Sequence, residues 1–194
     1  MKVILGYYDD HADAFCNSTL SADLSRERRG FLDLLPTPAK ILDAGSGSGR
    51  DSLAFLQLGH EVIAIDASSE MVAATERLAG VRSLQMKFED IDFHQDFDGV
   101  WACASLLHVP RAEISTVLQR IRATLKPQGI LYASFKYGTS KGMRNGRWFV
   151  DYDESKLAEL AVPEFSILRT WVSPDARPER RSERWLNVLM KRTR

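Results

Sequence analysis

Three glycines stand at alternate positions in Asp43-Ala44-Gly45-Ser46-Gly47-Ser48-Gly49, after the apolar pair Ile41-Leu42 and before a stretch patterned as a helix. A strand that turns through glycines into a helix aims backbone N–H groups at a ligand, and lets it approach where a Cβ would collide. Asp66 closes the next apolar run, Val62-Ile63-Ala64-Ile65. An acid at that place accepts both hydroxyls of a ribose. A strand-end Asp also caps helices, but Ser68 and Ser69 are at hand for that role.

Two kinds of cofactor chemistry share these features. A dinucleotide fingerprint prefers G-x-G-x-x-G and needs a second βαβαβ half. Here the spacing is G-x-G-x-G, and 194 residues leave no room for a second half. No Gly-Lys-Ser/Thr follows the turn, which excludes a P-loop.

The elements around these residues alternate. An amphipathic helix is expected within the first 35 residues, capped by Ser21, with Leu24, Phe31, Leu34 and Leu35 on one face, and stopped by Pro36 and Pro38. Strands are expected at 40–42, 61–65, 83–86, 97–103 and 130–135. Between them the pattern predicts helices over 52–58, over 70–78 (closed by Gly80), and from Pro110 to about residue 125, with a turn at 126–129. Apolar strands alternating with helices argue a parallel sheet covered on both faces. Residues 136–150, rich in Gly, Lys and Arg, read as a loop, followed by a helix over 154–160 and two final strands, 165–172 and 184–190. The expectation is one α/β domain: a Rossmann-like doubly wound sheet of about seven strands, mostly parallel, with a C-terminal antiparallel hairpin and helices on both faces. It divides into a helical lid (1–35), a cofactor-binding core (36–135) and a substrate side (136–194).

With these residues placed, the chain resembles the class I S-adenosylmethionine-dependent methyltransferases over residues 36–135, and more loosely beyond. The Asp-x-Gly-x-Gly-x-Gly turn resembles that family's first motif, Phe97-Asp98-Gly99-Val100 its fourth strand, and 125–131 the turn into its fifth. Gly49-Arg50-Asp51-Ser52 is similar to the tellurite-resistance type. The resemblance implies S-adenosylmethionine as cofactor and S-adenosylhomocysteine as product. It implies that Asp43, Ala44, Gly45 and Gly47 hold the methionyl part, and Asp66 with Ala67 the ribose. Phe88 and Glu89 would cover the adenine, because Lys87 stands where many relatives have an acid, and an ammonium cannot accept a hydrogen bond. Cys103 and Ala104 would floor the sulfonium, and Tyr8, on a lid helix, would close over the methionyl end.

Methyl transfer from a sulfonium is an in-line displacement that needs alignment more than a catalytic side chain. Orientation alone contributes up to about 7–11 kcal/mol. His108, just after the fourth strand, is the candidate base for an acceptor that must lose a proton. Lys136, Tyr137 and Arg147 are candidate acceptor-binding residues. With Lys141, Arg144, Arg177, Arg180, Arg181 and Arg184 they form a basic rim suited to an anionic small molecule.

Composition fits this reading. Lys plus Arg and Asp plus Glu are balanced at 26 each, so bulk charge points to neither nucleic acid nor membrane. Residues 136–194 nevertheless carry 13 Lys/Arg against 8 Asp/Glu. The two cysteines, Cys16 and Cys103, have no metal or redox spacing. No leader-like or membrane-spanning apolar run is present, and the expectation is a cytoplasmic protein without a metal site. Two other functions stay open. An RNA or DNA methyltransferase would use the basic and aromatic residues of 136–148, though no Asp/Asn-Pro-Pro-Tyr/Phe follows the fourth strand. A cofactor-binding protein without turnover is the other.

Overall fold

The short apolar runs become strands of one seven-stranded sheet in the computed structural model, which describes residues 2–160 and 165–193. In chain order these are β1 (Lys40–Ala44), β2 (Glu61–Asp66), β3 (Arg82–Gln85), β4 (Phe97–Ala102), β5 (Leu125–Lys136), β8 (Phe165–Pro174) and β9 (Arg184–Arg192). Their order across the sheet is β3-β2-β1-β4-β5-β9-β8. The first five are parallel, whereas β9 runs antiparallel to both β5 and β8. The strand order reverses between β1 and β4, the place where open α/β sheets leave a crevice beyond their strand ends.

The edge strand β8 is largely exposed, but at the centre of the sheet both faces are buried. On one, Leu42, Val100 and Leu131 pack with Val117, Leu118 and Ile121 of α6 (Ile114–Thr124) and Leu157 of α7 (Glu154–Leu160). On the other, Ile41, Trp101 and Tyr132 pack with Phe31 of α3 (Ser25–Leu32) and Phe55 of α4 (Arg50–Gln57). Trp101 stacks on Tyr132 with ring centroids 3.9 Å apart and meets Phe31 and Phe55 edgewise or tilted. Cutting such a fully buried ring to alanine costs about 3–5 kcal/mol. The helix α5 (Ser69–Ala79) is bounded as its sequence predicts. Ser68 Oγ accepts the Met71 N–H, and Gly80 ends the helix in the left-handed conformation.

Four local expectations change. The N-terminal stretch forms three helices, α1 (Lys2–Asp10), α2 (Ala12–Thr19) and α3, and Ser21 caps none of them. Asp23 Oδ1 instead takes the Ser25 N–H where α3 begins. Pro110 heads a turn rather than the helix. Its carbonyl accepts from the Glu113 and Ile114 N–H groups, and α6 starts at Ile114. Residues 126–129 do not separate α6 from a later strand. They bulge out of β5, which pairs Leu125 with Phe97 and then Ile130 with Gly99. The expected loop over 136–150 contains a hairpin, β6 (Lys141–Arg144) and β7 (Arg147–Val150), turned by Asn145 and Gly146, both at positive φ. Adjacent positive φ values suit a tight hairpin better than an open loop, because they match the twist of the strands. Residues 161–164, between α7 and β8, lie outside the described residues.

Candidate functional site

At the carboxyl ends of β1, β2 and β4 the structure opens a cavity of about 240 Å³. The glycine turn forms one wall. Gly45 sits at φ +82°, and a Cβ there would fall 2.4 Å from Ser105 Cβ. Gly49, at φ +80°, would put a Cβ 2.7 Å from the Thr75 backbone. Neither position admits a side chain, so the turn lies close against the exit of β4 and the flank of α5. Gly45 and Ser46 donate their N–H groups to the Ile65 carbonyl, which ties the turn to β2.

Asp66 closes β2 beside that turn. Its Oδ2 accepts the Gly47 N–H at 3.0 Å and its Oδ1 the Ser68 N–H at 3.0 Å. Burial raises its pKa, and these backbone donors only partly offset that. Asp43 lies beneath the turn, 2 % exposed, and accepts from Ser52 Oγ at 2.6 Å. Burial, with the nearby Asp51 charge, pushes its carboxyl up to about 7.

A charged floor supports the turn, and the sequence reading missed it. Arg28 and Arg50 both bond the Asp51 carboxylate, at 2.6 and 2.7 Å, and Trp101 Nε1 adds a third donor at 3.0 Å. Burial would raise the Asp51 pKa, but Arg50, Arg28 and Trp101 outweigh it and hold the carboxyl low. Arg50 also donates to the Thr19 carbonyl at the end of α2, fastening the N-terminal helices to the turn. The signal available in the sequence was the pair Arg50-Asp51 in the first turn of a helix.

The remaining walls come from other elements. Ala67, Met71, Met86 and Phe88 line the β2–β3 side, with Lys87. Cys103, Ala104 and Ser105 continue from β4, and the Ala104 N–H is fixed by Ser134 Oγ at 2.8 Å. Burial pushes the Cys103 thiol up to about 12, so it is protonated and a poor nucleophile. On the β5–β9 side the cavity runs on past Ser134, Lys136, Trp185 and Asn187.

Tyr8 and His108 roof the cavity. The Trp148 carbonyl can only accept, so His108 Nδ1 carries the proton that it receives at 2.6 Å. Nε2 is then the acceptor for the Tyr8 hydroxyl at 2.9 Å. Burial moves His108 down to about 4, the Trp148 bond partly opposing and Arg147 adding to the shift, so the ring is neutral. One residue further along α1, Ser68 Oγ donates to Asp9 at 2.5 Å.

Of the residues singled out by sequence, Tyr8, Asp43, Gly45, Gly47, Asp66, Ala67, Phe88, Cys103, Ala104, His108, Lys136 and Arg147 line this one cavity. Ala44 and Glu89 do not. Ala44 is fully buried, its carbonyl taken by Ser105 Oγ, and Glu89 lies in the short 3-10 turn Phe88–Asp90 outside the lining. Tyr137 also lies outside, its hydroxyl on Glu154 and its ring under Arg184.

Half of the basic rim, four of its eight cations, is paired with three acids. Lys136 pairs with Asp175 and Glu183, Arg177 with Asp175, Arg180 with Glu183, and Arg144 with Asp151. Charge counting along the sequence could not see these acids fold back onto it. Among the described residues no cluster of three or more His, Cys, Asp or Glu is arranged to hold a metal. No helix among them is long and apolar enough to cross a membrane.

The sequence and the fold match known proteins. Residues 41–129 match the family described as "Methyltransferase domain". The 1,6-didemethyltoxoflavin-N1-methyltransferase of Burkholderia thailandensis superposes with a TM-score of 0.79 at 27% identity, over 97% of this chain and 85% of that one. Its structure holds 1,6-didemethyltoxoflavin and S-adenosylhomocysteine. TehB of Haemophilus influenzae shares the fold at 14% identity, with a TM-score of 0.71 over 94% of this chain and 67% of its own. A ubiquinone biosynthesis O-methyltransferase of Nitrobacter winogradskyi is 34% identical over 100 residues, 49% of this chain but only 38% of that protein. The tRNA 5-carboxymethoxyuridine methyltransferase of Escherichia coli is 26% identical over 146 residues, 66% of this chain and 55% of that protein. The chain has the class I S-adenosylmethionine-dependent methyltransferase fold, and is related to small-molecule methyltransferases of that class.

Proposed function

We propose that this protein transfers a methyl group from S-adenosylmethionine to a small-molecule acceptor and releases S-adenosylhomocysteine. One observation carries the reading. The Gly45–Gly49 turn and Asp66 meet at the reversal of strand order, in a cavity that continues without a wall to the β5–β9 side. A cofactor and an acceptor therefore share one chamber.

The residues present fit the cofactor. Asp66 accepts the ribose hydroxyls, and the glycines let the turn lie close against Ser105 and Thr75 while it lines the chamber. Ala67, Met71 and Phe88 form an apolar slot for the adenine, and Cys103 and Ala104 lie beneath the reacting centre. When bound, the cofactor supplies an electrophilic methyl group on a sulfonium. The chain supplies alignment and exclusion of water. Tyr8, held by His108, closes the chamber from above, and His108 is a positioning residue rather than a base, since both ring nitrogens are engaged. Residues 1–35 act as the lid, 36–135 as the cofactor core, and 136–194 as the acceptor side, with Lys136 and Arg147 facing the acceptor. The even balance of Lys and Arg against Asp and Glu fits a cytoplasmic location.

Calorimetry with S-adenosylhomocysteine and with NAD tests the reading. Binding of the first supports it, and tight NAD binding with no S-adenosylhomocysteine binding overturns it. A labelled-methyl screen over metabolite and RNA pools then separates small-molecule from nucleic-acid acceptors. The tRNA-modifying relative favours the RNA arm. The internal pairing of the basic residues favours the metabolite arm, because paired cations release few counterions on phosphate binding.

A further inference from the structure

Of the guanidinium groups that line the main cavity, Arg147 alone lacks a carboxylate partner among the described residues. It leads β7 and borders both the main cavity and a neighbouring pocket floored by Lys136 and Arg180. Three rings surround it: Tyr7 at 4.6 Å, Phe149 at 5.2 Å and Tyr8 at 5.8 Å from the guanidinium carbon. No carboxylate among the described residues pairs with it, because Asp151 is taken by Arg144, and Asp175 and Glu183 by Lys136, Arg177 and Arg180. Its Nε is buried without a hydrogen-bond partner, and its one polar contact is a long 3.5 Å donation to the Tyr8 hydroxyl. Arg147 is half-buried, and a partly buried cation without a partner costs stability that a bound anion would recover.

The geometry points to an acceptor substrate that carries a carboxylate, bound by Arg147 within the methyl-transfer chamber. The proposal rests on the methyltransferase reading above. Rings packed on the guanidinium leave its N–H edge as the recognition surface, and that edge matches the two parallel acceptors of a carboxylate. A single uncompensated charge matches a monoanion. The adjoining cluster adds to the field without competing, since Lys136, Arg177 and Arg180 share two carboxylates and keep one net positive charge. Phe149, Leu107 and Val109 beside it offer an apolar wall to the body of the substrate. The cofactor's own carboxylate has a different candidate partner: Arg50 lies at the glycine turn, bonded to Asp51 and Thr19.

Calorimetric titration of the protein, with and without saturating S-adenosylhomocysteine, uses benzoate, 4-hydroxybenzoate, 3,4-dihydroxybenzoate and 2-naphthoate, each against its carboxamide. At least one carboxylate is expected to bind at least about tenfold more tightly than its amide. Arg147→Gln is expected to erase that preference while leaving S-adenosylhomocysteine affinity at the wild-type value, and Arg147→Lys, which keeps charge but not the fork, to fall between. Absence of binding by every carboxylate, equal binding of the amides, or a preference that survives Arg147→Gln overturns the proposal. So does a loss of S-adenosylhomocysteine affinity in Arg147→Gln with carboxylate binding intact, which assigns the residue to the cofactor. Failure of the wild type to bind S-adenosylhomocysteine counts against the methyltransferase reading, and the titration without cofactor still decides the carboxylate site.

Discussion

Tyr8 donates its hydroxyl proton to His108 Nε2 at 2.9 Å, joining the first helix to the exit of β4 across 100 positions of chain. The bond has a direction because the Trp148 carbonyl fixes the imidazole tautomer. It therefore depends on His108 staying neutral.

That dependence gives the first prediction. Burial, with Arg147 nearby, holds His108 down to about 4, below its unfolded value of 6.5. Between these values the unfolded state binds more protons, so this group's contribution to stability falls as pH drops from about 6.5 to 4. The His108 ring resonances are expected to stay flat from pH 8 down to about 5.5 in an NMR titration. A midpoint near 6.5 would show that the bond does not form as described. Tyr8→Phe leaves Nε2 buried and unpaired, and is expected to cost about 1–3 kcal/mol in urea unfolding.

Asp43 has the opposite sign. Its folded pKa is raised from 3.8 to about 7 by burial and by Asp51. The folded state holds the extra proton, so this group's contribution to stability falls as pH rises through that window. Asp43→Asn keeps an oxygen for Ser52 Oγ and removes the charge. The cofactor-free variant is expected to be more stable than wild type at pH 8, by at most about 4 kcal/mol, with the gap closing near pH 4. Chemical denaturation at both pH values measures the difference.

For cofactor binding, Asp66 must be ionised to accept two hydroxyls. Its raised pKa means that S-adenosylhomocysteine affinity is expected to fall as pH drops through that elevated value, earlier than an ordinary aspartate would cause. Asp66→Ala is expected to weaken binding by at least about tenfold, as loss of hydrogen bonds to a charged group does. Calorimetry of wild type and variant across the acid range reads both effects.

Gly45 tests the turn sterically. Alanine there meets Ser105 Cβ at 2.4 Å and a φ of +82°. Gly45→Ala is expected to destabilise the protein by about 2 kcal/mol or more. Ser105→Gly in the same chain removes the clash but not the strained φ, and is expected to restore part of the loss. Complete restoration would mean that the collision alone excludes a side chain.

What the sequence revealed was local, and what it hid was long-range. Ser68 and Gly80 act through neighbours a few residues away, so their roles are written in adjacent letters. The glycine turn announced itself by its spacing, although the Ser105 and Thr75 that its glycines meet lie far along the chain. Asp66 was legible because a strand end next to a turn leaves few places for an acid to go. The Lys141–Val150 hairpin was written too, in Asn145-Gly146, but the surrounding Lys, Arg and Gly lacked the alternation that normally marks strands. The pairing of Lys136 with Asp175 and Glu183 brings residues about forty positions apart together, and no pattern in either stretch announces the other. His108 looked like a base from its position alone, and only its two partners show that neither nitrogen is free.

The last two strands do not join the sheet in the order they are made. β9 lies between β5 and β8, and β8 has no other neighbour in the sheet. During synthesis β8 must therefore wait for β9 to emerge before it can hydrogen-bond. The glycine turn, Asp66 and the parallel strands can assemble earlier. Trp185 and Asn187 arrive only with β9, so a nascent chain acquires the glycine-turn side of its chamber before the β5–β9 side.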